Sequence, residues 1–156
     1  MTKNCILWVS RFQGWKQPDL FIELAEKIPD ERFWMICPPP KGKEIENWEK
    51  LKSRAILLPN LQFIDYVPFS QIQDYFNKAF VLVNTSRAEG FPNTFLQAAQ
   101  GRAAIVSLAV NPGDFISKYD CGVFCENDFD LLVKNLAGLV KNKKLLQKKG
   151  KIVMPM

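Results

Sequence analysis

Residues 61–86, "LQFIDYVPFSQIQDYFNKAFVLVNTS", change their hydrophobic period twice. Leu61 to Val67 and Phe80 to Thr85 read as short β-type runs, and between them Ile72, Tyr75, Phe76 and Ala79 recur at helical spacing. Strand, helix and strand in this order form a βαβ unit, the building block of a parallel sheet.

The same alternation extends outward in both directions. Asn4 to Ser10 and Arg32 to Cys37 are β-type runs upstream; Ala103 to Ala109 and Gly122 to Glu126 are β-type runs downstream. Helical faces lie between and after them: Leu20, Phe21, Leu24, Ala25 and Ile28 follow Pro18, which suits a first helical turn, and Leu131, Leu132, Leu136, Leu139 and Val140 form another. The strand runs are almost continuously apolar, as expected where both faces of a strand are covered. The polar stretch "PPPKGKEIENWEKLKSR", Pro38 to Arg54, reads as a stiff turn feeding a surface helix that packs Ile45, Trp48 and Leu51 or Lys52 inward. The expectation is an α/β doubly wound, mostly parallel sheet of about six strands flanked by helices, with residues 1–156 as a single domain.

Composition narrows the chemistry. The chain has 156 residues, four cysteines and no histidine. Cys5, Cys37, Cys121 and Cys125 fall mostly within apolar runs without a C-x-x-C pair, which fits reduced, buried thiols in a cytoplasmic protein better than zinc or disulfides. Without histidine, a self-contained Ser-His or zinc hydrolase is not expected. The opening "MTKNCILWVS" is too short in apolar residues for a signal peptide, and no apolar run reaches the ~20 residues needed to cross a bilayer.

Charge is unevenly distributed. From Leu131 onward there are seven lysines and no acid, while the rest of the chain carries 14 basic and 16 acidic residues, so the net charge of +5 sits in the C-terminal segment. That segment is expected to be one helix with a tail, its lysines either solvated or in peripheral contact with an anionic membrane surface. Nucleic acid is not expected as a partner, because the aromatics are not interleaved with these lysines.

In a parallel α/β sheet, ligands bind beyond the carboxyl ends of the strands. After the first strand comes "SRFQGWKQP", with Arg11 and Lys16 in a Gly-containing loop. After the fourth comes "SRAEGFPNTFLQAAQG", where Glu89 precedes Gly90, Phe91 and Pro92, and Asn93 is placed to cap a helix whose first amides, at Thr94 and Phe95, face the same region. A helix N-terminus opposite two cations suits a diphosphate: the amides and the dipole favour the anion, Arg supplies a fork and Lys a point charge.

These residues resemble the C-terminal, donor-binding domain of GT-B glycosyltransferases, specifically family 4, also called group 1. The family pattern, in order, appears here as "SRFQGWK", then residues 61–86, then Glu89-Gly90-Phe91-Pro92 followed by a helix. The resemblance implies a Rossmann-like fold, one half of a GT-B enzyme, and retaining transfer of a sugar from a nucleotide-diphospho-sugar to a glycan or lipid-linked acceptor. It places Arg11 and Lys16 on the donor diphosphate, and Glu89, with the backbone of Gly90 and Phe91, on the donor sugar. It also places the amides of Thr94 and Phe95 on phosphate and Tyr66 and Val67 against the base. No bound metal is implied. The site would lie in the cytoplasm, at the inner face of the membrane if the lysines contact lipid.

Several positions depart from the family pattern. The second acid, which grips the ribose, falls at Gln97; Ser10 and Asp65 stand where the family has glycine, and Cys37 to Pro40 replace a Gly-rich turn. The acceptor-binding N-terminal domain is absent, so the chain is expected to be the excised C-terminal half of a longer enzyme, inactive alone, rather than a natural split subunit. The ending "KIVMPM" stops where the family continues into a crossing helix. The competing expectations are a degenerate nucleotide-sugar-binding or protein-interaction module without catalysis, and another nucleotide-binding protein. Against the last, no G-x-G-x-x-G follows the first strand.

Overall fold

A computed structural model describes residues 3–151. Its frame is one sheet of six parallel strands: β1 (Cys5–Val9), β2 (Phe33–Ile36), β3 (Leu61–Ile64), β4 (Ala79–Asn84), β5 (Ala104–Ser107) and β6 (Gly122–Phe124). They lie in the order β3-β2-β1-β4-β5-β6. The helices are α1 (Pro18–Lys27), α2 (Ile45–Ala55), α3 (Ile72–Lys78), α4 (Asn93–Gly101), α5 (Phe115–Lys118), α6 (Phe129–Val140) and α7 (Lys143–Gly150).

The period of two along β1 explains the layering. Ile6 and Trp8 enter one apolar cluster with Phe21 and Leu24 of α1, Trp48 of α2 and Leu132 and Leu136 of α6. Cys5 and Leu7 point to the other face and pack with Phe76 of α3, Phe95 and Ala98 of α4 and Phe115 of α5. Helices therefore cover both faces, which is why the strands contain so few polar residues. This is the doubly wound α/β fold expected, and every strand pairing is parallel.

Local details refine the reading. Pro18 does occupy the first turn of α1. On α2, Trp48 and Leu51 are buried, Ile45 is half-buried, and Lys52 turns outward to pair with Asp65 at 2.7 Å. Asn93 is not a cap: Pro92, with extended φ/ψ, precedes the helix, and Asn93 is its first residue, where a side chain no longer reaches the free amides. The lysine-rich segment is two helices rather than one, broken after Lys141, with Asn142 capping α7 by accepting from the Leu145 amide at 3.1 Å. Ile152 to Met156, most of the ending read as truncated, lie outside the described residues.

All four cysteines are buried and free. Burial pushes the thiols of Cys5 and Cys37 up to about 12 and that of Cys121 to about 11. They are inert packing residues at neutral pH.

Candidate functional site

The strand order reverses between β1 and β4, so the loops leaving these neighbours run to opposite faces and open a crevice at their carboxyl ends. A cavity of about 450 Å³ fills it, lined among others by Ser10, Arg11, Lys16, Val67, Asn84, Glu89, Phe91 and Thr94. Loops far apart in the chain thus meet at the point where the topology demands a gap.

Lys16 and Glu89 are in direct contact. The Lys16 ammonium donates to Glu89 Oε1 at 2.6 Å, with side chains only 17% and 13% exposed. Asn84 Nδ2 holds the other oxygen at 2.9 Å, while Asn84 Oδ1 accepts from the Ser86 amide at 3.0 Å. Burial by itself would raise the Glu89 carboxyl, but hydrogen bonds from Lys16, Asn84 and Ser86, with the charge of Lys16, outweigh it and hold the group below its ordinary value. Glu89 is thus an anchored carboxylate, not a proton donor at neutral pH. Arg11 lies exposed at the rim and makes no ion pair among the described residues.

Lys16 is held in place from beneath. Thr85 Oγ1 lies 2.6 Å from the Lys16 carbonyl and 3.0 Å from that of Gln17, and accepts from Trp8 Nε1 at 2.9 Å. Gln17 returns a hydrogen bond to the Thr85 carbonyl at 3.0 Å, and the Arg87 amide donates to the Trp15 carbonyl at 2.9 Å. The loops after β1 and β4 are therefore sewn together, and the Lys16–Glu89 contact follows from that seam. Sequence reasoning missed Trp8, Gln17, Asn84 and Thr85. The available signal was "NTS", Asn84 to Ser86, three polar residues at the end of an apolar strand, all of them buried.

The remaining expected residues divide. Val67, Phe91 and Thr94 line the cavity. The amides of Asn93 and Thr94 open α4 and have no intrahelical acceptor. The Phe95 amide instead donates to the Pro92 carbonyl at 3.1 Å, and its ring is buried against Phe91 and Phe115. Tyr66, 70% exposed, and the exposed Gly90 stand outside the lining. Gln97 lies one turn beyond Asn93 on α4, also outside it, with its carbonyl accepting from Gln73 Nε2 at 3.1 Å. No group of three His, Cys, Asp or Glu side chains among the described residues is arranged to hold a metal ion.

A cation pair, one carboxylate and a helix start at the switch point of a 3-2-1-4-5-6 sheet invite comparison with known families. The family model for glycosyl transferases group 1 matches residues 3–142, which include every residue of the cavity. The chain belongs to the group 1 glycosyl transferases. No curated protein sequence matches it significantly.

Solved structures share the fold. The C-terminal domain of the group 1 glycosyl transferase LpcC from Francisella tularensis superposes with a TM-score of 0.80 at 20% identity, over 97% of this chain and 82% of that one. A point mutant of TarM from S. aureus, crystallised with fondaparinux, α-GlcNAc-glycerol and UDP, gives 0.79 at 23% identity over 96% of this chain and 31% of its own. HepE from Anabaena, in complex with UDP and glucose, gives 0.78 at 14% identity over 97% of this chain and 42% of its own. This group 1 domain thus spans well under half of the TarM and HepE chains.

Proposed function

We propose that the chain is the nucleotide-sugar-binding half of a retaining, hexosyl-transferring glycosyltransferase whose N-terminal acceptor domain lies outside this sequence. The observation that carries this reading is the Lys16–Glu89 contact beside Arg11 at the switch point: two cations for a diphosphate next to one anchored acid for sugar hydroxyls. The crevice is open above the sheet, so an acceptor would be positioned by the opposing domain, and the chain alone binds donor without transferring sugar. Arg11 and Lys16 neutralise the diphosphate, which is also the leaving group; the Thr94 amide, at a helix start, adds a donor with the favourable end of the dipole. Val67 offers an apolar wall for the base, with exposed Tyr66 next to it. Metal is not needed, since the charge on the leaving group is met by side chains.

The departure at Gln97 favours a second reading, a domain that binds nucleotide-sugar without catalysis, because an amide grips a ribose diol without charge assistance. The exposed lysines Lys134, Lys141, Lys144 and Lys148 support a peripheral contact with anionic lipid at the cytoplasmic face.

Titrations of UDP, GDP and ADP followed by amide chemical shifts test the donor site. At least one should move Arg11, Glu89 and Thr94, and the matching monophosphate should bind more weakly. Lys16→Ala should weaken the diphosphate about tenfold, as expected for one lost charged hydrogen bond. No perturbation of these loops at millimolar nucleotide would defeat the proposal; sugar transfer by the isolated chain would defeat its half-enzyme part.

A further inference from the structure

A second cavity lies at the opposite end of the sheet, beyond the amino ends of the strands. It is the larger of the two, about 750 Å³ against about 450 Å³. Lys3 precedes β1, Phe80 is the second residue of β4, Arg102 follows α4, and the groove is closed by Lys143 and Leu146 of α7 with Lys151 just after it. Four cations line it and no carboxylate does.

Among the described residues these cations have no carboxylate partner. Among the described residues the ion pairs are Lys16–Glu89, Lys52–Asp65, Arg54–Glu26 and Lys149–Asp120, so Arg102, Lys143 and Lys151 enter none. Asp120, the acid beside α7, is taken by Lys149. Lys3 donates to the Gly101 carbonyl at the end of α4, which offsets the negative end of that helix. Burial first, and then the charge of Arg102, lower the Lys3 ammonium below its ordinary value.

The groove is also rigidly framed. A Cβ on Gly150 would collide with the Arg102 carbonyl, and one on Gly101 would stand 2.7 Å from the Phe76 carbonyl, so α7, α4 and α3 approach at backbone distance. Leu146 is buried, and Lys143 sits 4.6 Å over the Phe80 ring. The floor is apolar and the rim is basic.

We infer that this groove binds a phosphorylated anion carrying at least two negative charges, recognised by Lys3, Arg102, Lys143 and Lys151, at a site separate from the donor crevice. Amide side chains of Asn77 and Gln147 line the same groove and supply neutral donors to phosphate oxygens. The chemistry is met by a free phosphorylated small molecule or by the headgroup of an anionic lipid, and both present it to the same cations.

The test uses inorganic pyrophosphate and, separately, vesicles containing phosphatidylglycerol, with the full chain. Pyrophosphate should shift the amides of Phe80, Arg102 and Gln147 in a step distinct from any shift at Arg11 and Glu89. The double change Arg102→Gln and Lys143→Gln should weaken the groove step at least tenfold and leave the donor-loop shifts as they were. Because Arg102 has φ +60° at the end of α4, the single change Lys143→Gln, at an exposed position of α7, serves as the second variant, with a severalfold loss expected. Vesicle binding without a pyrophosphate response, abolished by the same variants, assigns the groove to a lipid headgroup. If neither probe moves the groove amides, or if binding is indifferent to both variants, the inference is overturned.

Discussion

Thr85→Val tests whether the seam beneath Lys16 is what holds the site together. Valine keeps the volume and branching of threonine, so packing is preserved and only the hydroxyl is lost. Thr85 and Trp8 are 1% and 2% exposed, so water does not replace what is removed. Two things are lost: the hydroxyl's hydrogen bond to the Lys16 carbonyl, worth about 1 kcal/mol, and the acceptor for the Trp8 indole N–H, whose burial without a partner costs about 1–3 kcal/mol. The expected destabilisation is about 2–4 kcal/mol, a large share of the roughly 5–15 kcal/mol typical of a domain. Urea denaturation reads it directly. Trp8→Phe removes the donor instead, so the double variant should fall short of additivity by about 1 kcal/mol or more. Thr85→Ser should recover most of the loss. UDP affinity should drop with Thr85→Val, because the Lys16 backbone loses its tether. A Thr85→Val stability within about 0.5 kcal/mol of the parent, the range of an ordinary surface change, together with unaltered UDP affinity, would refute the reasoning.

The Glu89 carboxyl is held below its ordinary value of 4.5, so its contribution to stability is fully present above that pH and is lost as pH falls through the lowered value. Urea stability, followed downward from neutral pH, should therefore fall less steeply below the ordinary value in Glu89→Gln than in the parent; parallel curves would contradict this. Two glycines provide opposite signs for one substitution. Gly150→Ala forces a Cβ into the Arg102 carbonyl and should cost about 1–3 kcal/mol, whereas Gly138→Ala, at an exposed position of α6, meets nothing within 4 Å and should stabilise by about 0.5–1 kcal/mol. Denaturation midpoints of both variants check the pair.

The strands and helices were legible because burial on both faces writes itself into composition: Ile6, Leu7 and Trp8 have no polar neighbour to mark an outer face. Arg11, Lys16 and Glu89 were legible as loop residues after strands, and strand order then brought them together. Other features depend on geometry that has no one-dimensional trace. Asn93 looks like a cap, yet the extended backbone of Pro92 shifts the helix start by one residue. Thr85 looks like a strand end, and its role exists only because Trp8 and Lys16 approach it from another part of the chain. The lysine-rich segment looks like one helix because Lys141 and Asn142 interrupt an otherwise helical composition by a cap alone.

Under the proposed function, the Lys16–Glu89 contact gives the site an order of events. One ammonium serves both the carboxylate and the incoming diphosphate, and it has three donors to divide between them. When it turns toward phosphate, Glu89 Oε1 loses its partner at 2.6 Å while Oε2 stays fixed by Asn84 at 2.9 Å. The carboxylate is then an oriented acceptor with one oxygen open, which sugar hydroxyls satisfy. A diphosphate without a sugar leaves that oxygen without its partner, at a cost of about 1–3 kcal/mol for a charged group in a half-buried place. The intact nucleotide-sugar avoids the cost. Recognition of the two ends of the donor is thereby linked through a single lysine, and the linkage depends on Asn84 holding the carboxylate still while Lys16 moves.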